Sequence, residues 1–117
     1  MLEVYHQKRC LEQLGHGFAE VHSWLDRFYP AYDGWHRIIL HHRVGLDLLV
    51  REMGEEVRAA GELHIRDDWQ GELPDDPLAV VKGYYPKPPG REFAHELVNC
   101  VWRVHDNSFG LLYGWLL

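Results

Sequence analysis

The longest amphipathic run in the chain is Trp35 to Met53, WHRIILHHRVGLDLLVREM. At about 100° per residue, Ile38, Ile39, His42, Leu46, Leu49 and Met53 fall on one stripe of a helix. His42 stands at the centre of that stripe, where an apolar residue is expected. His41 lies on its edge, with Gly45 and Glu52 further along the same side. An imidazole in a burying stripe needs a partner, because an unpaired buried polar group costs about 1–3 kcal/mol. That partner can be a hydrogen bond or a metal ion.

The same periodicity predicts helices over 3–14, 18–28, 62–69 and 92–105. The first has Val4, Cys10, Leu11 and Leu14 on one face and stops at Gly15. The second carries Phe18, Val21, Trp24, Leu25 and Phe28 and is closed by Tyr29-Pro30, since a residue before proline is biased out of the helical region. Asp33 is placed to cap the long helix and Gly54 to end it. Residues 78–85, LAVVKGYY, are too short for periodicity to separate a strand from a helical turn, and a strand is expected there if anywhere. The pattern therefore predicts a mainly α, single-domain helical bundle over 1–117. It has a histidine/carboxylate core at 18–77 and an extension, 78–117, made of one helix and an apolar tail. That tail, FGLLYGWLL at 109–117, is expected to be covered, and a symmetric homodimer would cover it.

Length and composition agree with one domain: 117 residues, 46% of them hydrophobic. A net charge of −6, from 12 basic and 18 acidic residues, argues against a nucleic-acid binder held by phosphate contacts. No apolar run approaches the ~20 residues that span a bilayer. Two cysteines, Cys10 and Cys100, and no leader pattern at the start predict reduced thiols in a cytoplasmic protein. Histidine is the anomaly. Six of the nine lie between His16 and His64.

Three local patterns organise those histidines. His22 and Asp26 stand four apart, as do His64 and Asp68, so on a helix each imidazole points the same way as its carboxylate. His41-His42 sits between them in sequence. Imidazole with carboxylate suits zinc, manganese or iron, or a ligand with its orienting carboxylate. One such pair alone is a surface helix pair worth a few tenths of a kcal/mol. Two pairs flanking a double histidine point to a shared site, with His22, Asp26, His42, His64 and Asp68 as candidate metal ligands. His41 is the candidate general base, and Arg37 the candidate holder of an anionic group. There is no HExxH, P-loop or glycine-rich dinucleotide turn, and two distant cysteines exclude a structural cysteine–zinc site. His6 and His16 carry no pattern.

The segments HSWLD at 22–26, HRIILHHRVG at 36–45 and GELHIRDD at 61–68 resemble a family of small bacterial and phage proteins known as a domain of unknown function. Its motifs read H-x-W-x-D, RHR-x3-HH-x2-G and GE-x-H-x3-D. The resemblance covers about residues 20–76 and departs at Trp35, where the family more often has arginine. It carries no activity, but it does bring His36 and Arg37 into the matched pattern.

Three readings of different class follow. In one, the protein holds a divalent metal, zinc favoured, and is hydrolytic. In another, it is a non-enzymatic interaction protein whose histidine/aspartate cluster is a buried hydrogen-bond network. A metal-free acid–base enzyme built on a His–Asp pair is a third. Whether the chain is an enzyme is left open by the sequence.

Overall fold

The computed structural model describes residues 3–32, 35–84 and 91–106. Its helices are α1 Glu3–Leu14, α2 Ala19–Leu25, α3 Tyr29–Tyr32, α4 His36–Leu40, α5 Arg43–Met53, α6 Arg58–Asp68, α7 Pro77–Tyr84 and α8 Arg91–Asp106. A 3-10 turn at Glu55–Val57 leads into α6. Among the described residues there is no strand, and no helix is long and apolar enough to cross a membrane. The chain is a mainly α single domain.

The expected helix over 35–53 is broken in two, and the break positions the site. α4 ends at Leu40; His41 (φ −89°, ψ 61°) and His42 (φ −164°, ψ 178°) leave the helical region, and α5 starts at Arg43. His42 closes the break with its own ring. Its Nδ1 accepts from the Gly45 N–H (3.0 Å), capping α5, and its Nε2 donates to the Ile38 carbonyl (2.8 Å) at the end of α4. Arg43 N–H finds the Pro74 carbonyl at 2.9 Å. The turn is so tight that a Cβ on Gly45 would lie 1.9 Å from the Leu40 carbonyl oxygen. Hydrophobic periodicity reads through such a break, because the stripe resumes on the far side.

Residues 78–84 are not a strand. Pro77–Tyr84 is α7, capped by Asp76, whose side chain accepts from the Ala79 N–H at 2.8 Å. Proline at the first helical position loses nothing, because its N–H would be unpaired there anyway. α2 stops at Leu25, short of 28, and Pro30 sits in the first turn of the four-residue α3. α6 begins at Arg58, four residues before the expected start. α1 also differs from its predicted face. It buries His6 and Cys10, whereas Val4 and Leu11 are exposed.

α4 packs on α7 and α8; α6 packs on α1, α2 and α5. The apolar core joins Ile38, Ile39 and Leu40 with Leu46, Leu49, Ile65, Val80, Val81, Leu97, Val98 and Val101. α5 and α6 approach closely at Gly61, where a Cβ would meet the tips of Leu49 and Leu46 at 2.5 and 2.8 Å. The apolar tail at 109–117, with the dimer expected through it, and the cap expected from Asp33 lie outside the described residues.

Candidate metal centre

Four side chains from three places in the fold converge on one point. Asp26 follows the last residue of α2, His41 sits at the α4–α5 break, and His64 and Asp68 lie one turn apart on α6. His41 Nε2 is 3.2 Å from Asp26 Oδ1, 3.1 Å from Asp68 Oδ2 and 3.1 Å from His64 Nε2. His64 Nε2 is 3.3 Å from Asp26 Oδ1 and 3.5 Å from Asp68 Oδ2. His41 and His64 are fully buried and the Asp68 side chain nearly so; the Asp26 side chain is 25% exposed. Asp26 is therefore the side of the cluster that meets solvent.

Further residues brace these four. His36 Nε2 lies 3.2 Å from Asp26 Oδ1, and Tyr29 packs edge-on against its ring. The Trp69 indole N–H donates to the His41 carbonyl at 2.8 Å, holding the helix break. His6, from α1, stacks on His64 with ring centroids 3.6 Å apart and places Nε2 3.4 Å from Asp68 Oδ1. His22 meets His64 at 2.9 Å, Nδ1 to Nδ1, and its Nε2 donates to the Gly17 carbonyl at 2.9 Å. Arg37 Nε stands 4.0 Å from Asp68 Oδ2, its guanidinium over the Trp69 ring.

The electrostatics follow from burial set against opposite charge. Burial alone would raise the Asp26 carboxyl, but the imidazoles of His36, His41 and His64 gathered around it hold it well below the usual carboxylate range. Asp68 is likewise pushed up by burial and held below that range by His41 and His6. His41 would lose its proton through burial, yet the two carboxylates beside it raise its affinity for one. His64 is pushed down by burial to about 3, Asp26 offsetting only part of that. The ion-free cluster thus sets two carboxylates, a His41 whose hold on a proton is raised and a His64 whose hold is lowered around the same centre.

The sequence-selected residues are distributed as follows. The structure brings Asp26, His64 and Asp68 together at one centre. His22 stands behind His64, outside the four-atom set. The two neighbours exchange places: His41, read as a flanking base, is inside the set, whereas His42, read as a ligand, has both ring nitrogens engaged by backbone at the helix break. Arg37 is at the rim. Asp67, also three residues from His64, turns away to Arg9 at 3.2 Å. His6 was missed altogether. Its one signal is the i, i+4 spacing to buried Cys10, which marks the inner face of α1.

Set beside known proteins, the chain matches no family model, no curated protein and no solved structure.

Proposed function

We propose that the protein binds one divalent transition-metal ion between Asp26, His41, His64 and Asp68, with zinc favoured, and that it is hydrolytic. One observation carries the metal reading. Five of the six separations among the four donor atoms are 3.1–3.5 Å, and all four lie within 4.8 Å of one another. A tetrahedral ion with bonds of ~2.0–2.1 Å has ligand–ligand edges of roughly 3.3–3.4 Å. Two nitrogens and two carboxylate oxygens form a donor set that zinc accepts, and manganese or iron would add oxygen ligands at the Asp26 side.

A bound divalent ion supplies Lewis acidity and lowers the pKa of a coordinated water. The chain's own residues favour hydrolysis at one edge. Asp26 is the exposed ligand, His36 beside it can accept a proton, and Arg37 brings a positive charge to the rim. The motifs resembling the bacterial and phage family contain His22, Asp26, His36, His41, His64 and Asp68, so membership in that family would make this site what its motifs encode.

A second reading has its own support. Without an ion, one proton on His41 serves both carboxylates, so the cluster can also be a closed hydrogen-bond network. Elemental analysis of protein purified without a histidine tag separates the two. The metal reading expects about one equivalent of metal in wild type, none in His41→Ala, and metal retained in His42→Ala, which loses the cap and the bond to the Ile38 carbonyl but none of the four donors. A metal-free wild type, with His41→Ala merely less stable, would establish the network. Cytoplasmic residence is part of the proposal and rests on thiols. Cys10 and Cys100 are both free, and burial pushes the Cys10 thiol up to about 11, which leaves it unreactive. A homodimer through the C-terminal tail is proposed from the sequence alone, and sedimentation at high concentration tests it.

A further inference from the structure

We infer that His22 is the positioning residue that makes His64 a ligand, by keeping the His64 proton on Nδ1 and the Nε2 lone pair turned into the cluster. The inference rests on the metal reading for its purpose, though its geometry is independent of it.

The argument starts at a carbonyl, which can only accept. His22 Nε2, 2.9 Å from the Gly17 oxygen, must therefore carry a hydrogen. In a neutral His22 ring the other nitrogen, Nδ1, is then the acceptor. The two Nδ1 atoms of His22 and His64 lie 2.9 Å apart, and two protons cannot share that contact. His64 Nδ1 is accordingly the donor, and a neutral His64 has its lone pair on Nε2. That is the atom 3.1–3.5 Å from His41, Asp26 and Asp68. Metal-bound histidines characteristically donate their other N–H to an orienting partner, which fixes tautomer and ring angle. Here the partner is a second histidine, itself fixed by backbone.

The surroundings hold this relay in place. The loop before α2 bends through Gly15 (φ +80°) and through Phe18, a non-glycine residue in the left-handed region (φ +56°). The Phe18 N–H is taken by His16 Nδ1 at 3.0 Å, and the Gly17 carbonyl is left facing the His22 ring. Such a conformation is strained and persists only where its surroundings require it. On the other side His6 stacks on His64 with planes 20° apart and opposes rotation of that ring.

His6, His22 and His64 are also close enough to suggest a second ion, but the ring geometry excludes it. The His22 and His64 rings are nearly coplanar (19°), with centroids 5.1 Å apart for nitrogens 2.9 Å apart, so the nitrogens meet end to end. An ion lying along both lone pairs would hold them roughly 4 Å apart, twice a bond of ~2.0–2.1 Å. A separation of 2.9 Å is that of N–H···N.

Two measurements on the full chain test the inference. In ion-free wild type, nitrogen NMR should find His64 protonated at Nδ1 and bare at Nε2; a proton on Nε2 overturns it. Titration with zinc alone should then show His22→Leu weakened about 10–100-fold, with His64 tautomers mixed. His22→Asn, whose amide oxygen can accept the same Nδ1–H, should recover most of that loss. Leucine binding zinc as tightly as wild type, or asparagine doing no better than leucine, overturns it as well. If His22→Leu does not fold, the wild-type tautomer and the asparagine variant decide. Wild type that takes up no zinc overturns the metal site and with it the purpose given to His22, a failure distinct from a wrong tautomer.

Discussion

α4 divides the interior into two unlike halves. Ile38, Ile39 and Leu40 belong to the apolar core completed by α7 and α8, in which Val80, Val81, Leu97, Val98 and Val101 are buried. His36 and His41, on the same short element and its end, meet Asp26, His64 and Asp68. The apolar half is held by area and shape, which are non-directional and tolerate exchange of similar volumes. The polar half is held by directional contacts between particular nitrogens and oxygens, and losing one strands another. A fault in the first half should therefore cost stability, and a fault in the second should cost the site.

The sharpest test sets one deletion in each half against the other. His64→Ala should weaken zinc binding by about 100-fold or more, beyond the ~10–100-fold typical of an outer partner. Leu40→Ala, at a fully buried position, should cost about 2–5 kcal/mol in chemical denaturation while zinc stoichiometry stays at one. Loss of zinc in both would show that the two halves act as one unit.

The break between the halves comes next. A Cβ at Gly45 meets backbone, which no rotamer change relieves, so Gly45→Ala should destabilise by roughly 1–3 kcal/mol and weaken zinc binding by moving His41. Gly61→Ala meets only the tips of Leu49 and Leu46, which can turn aside, and it gains about 0.8–1.0 kcal/mol of helix propensity. Its net effect should be smaller and should spare the metal. Equal losses at the two glycines would count against the strict geometry assigned to the break.

Acid and base should also separate the halves, because only the polar one titrates. In the ion-free protein, His64 is neutral down to about 3, whereas in the unfolded chain it takes a proton below ~6.5. Its contribution is therefore lost as the pH falls through that window, and those of Asp26 and Asp68 are lost further into acid. His41 is shifted the other way. Its contribution is complete below ~6.5 and is lost as the pH rises through its raised folded value. Thermal melts of ion-free protein should thus show greatest stability near pH 6.5. Zinc should remove the alkaline decline, since binding takes the place of the His41 proton, and zinc affinity should rise with pH. A flat alkaline limb without zinc would contradict the charged state given to His41. The smallest effect belongs to neither half: Arg43→Ala breaks only an exposed pair with Asp75 and should shift stability by no more than about 0.5 kcal/mol.

Much of the site was readable because helical spacing is short-range. The four-residue steps from His22 to Asp26 and from His64 to Asp68 put each pair near one another before any packing is known. The choice between His41 and His42 was not readable in that way. On an unbroken helix His42 faces the core; the break turns His42 into a cap and delivers His41 to the cluster. His6 was hidden because its partners, His64 and Asp68, are more than fifty residues away. α7 was left open between a strand and a helical turn for a different reason. A signal was present in Asp76-Pro77, a side-chain cap followed by a first-turn proline, but eight residues hold too few periods to outweigh a run of β-branched side chains.

By itself, then, the sequence determined the helical class, the reach of α1 and α8 and the three segments that supply the polar cluster. All of these depend on contacts within a turn or two of the chain. Only the tertiary structure decided which imidazole of an adjacent pair enters the centre, which nitrogen of His64 faces it, and that α1 closes over it with His6. Those outcomes depend on where distant backbone carbonyls and carboxylates come to rest, because a buried imidazole is oriented by the partners its nitrogens can reach, and those are set by packing rather than by neighbours in the chain.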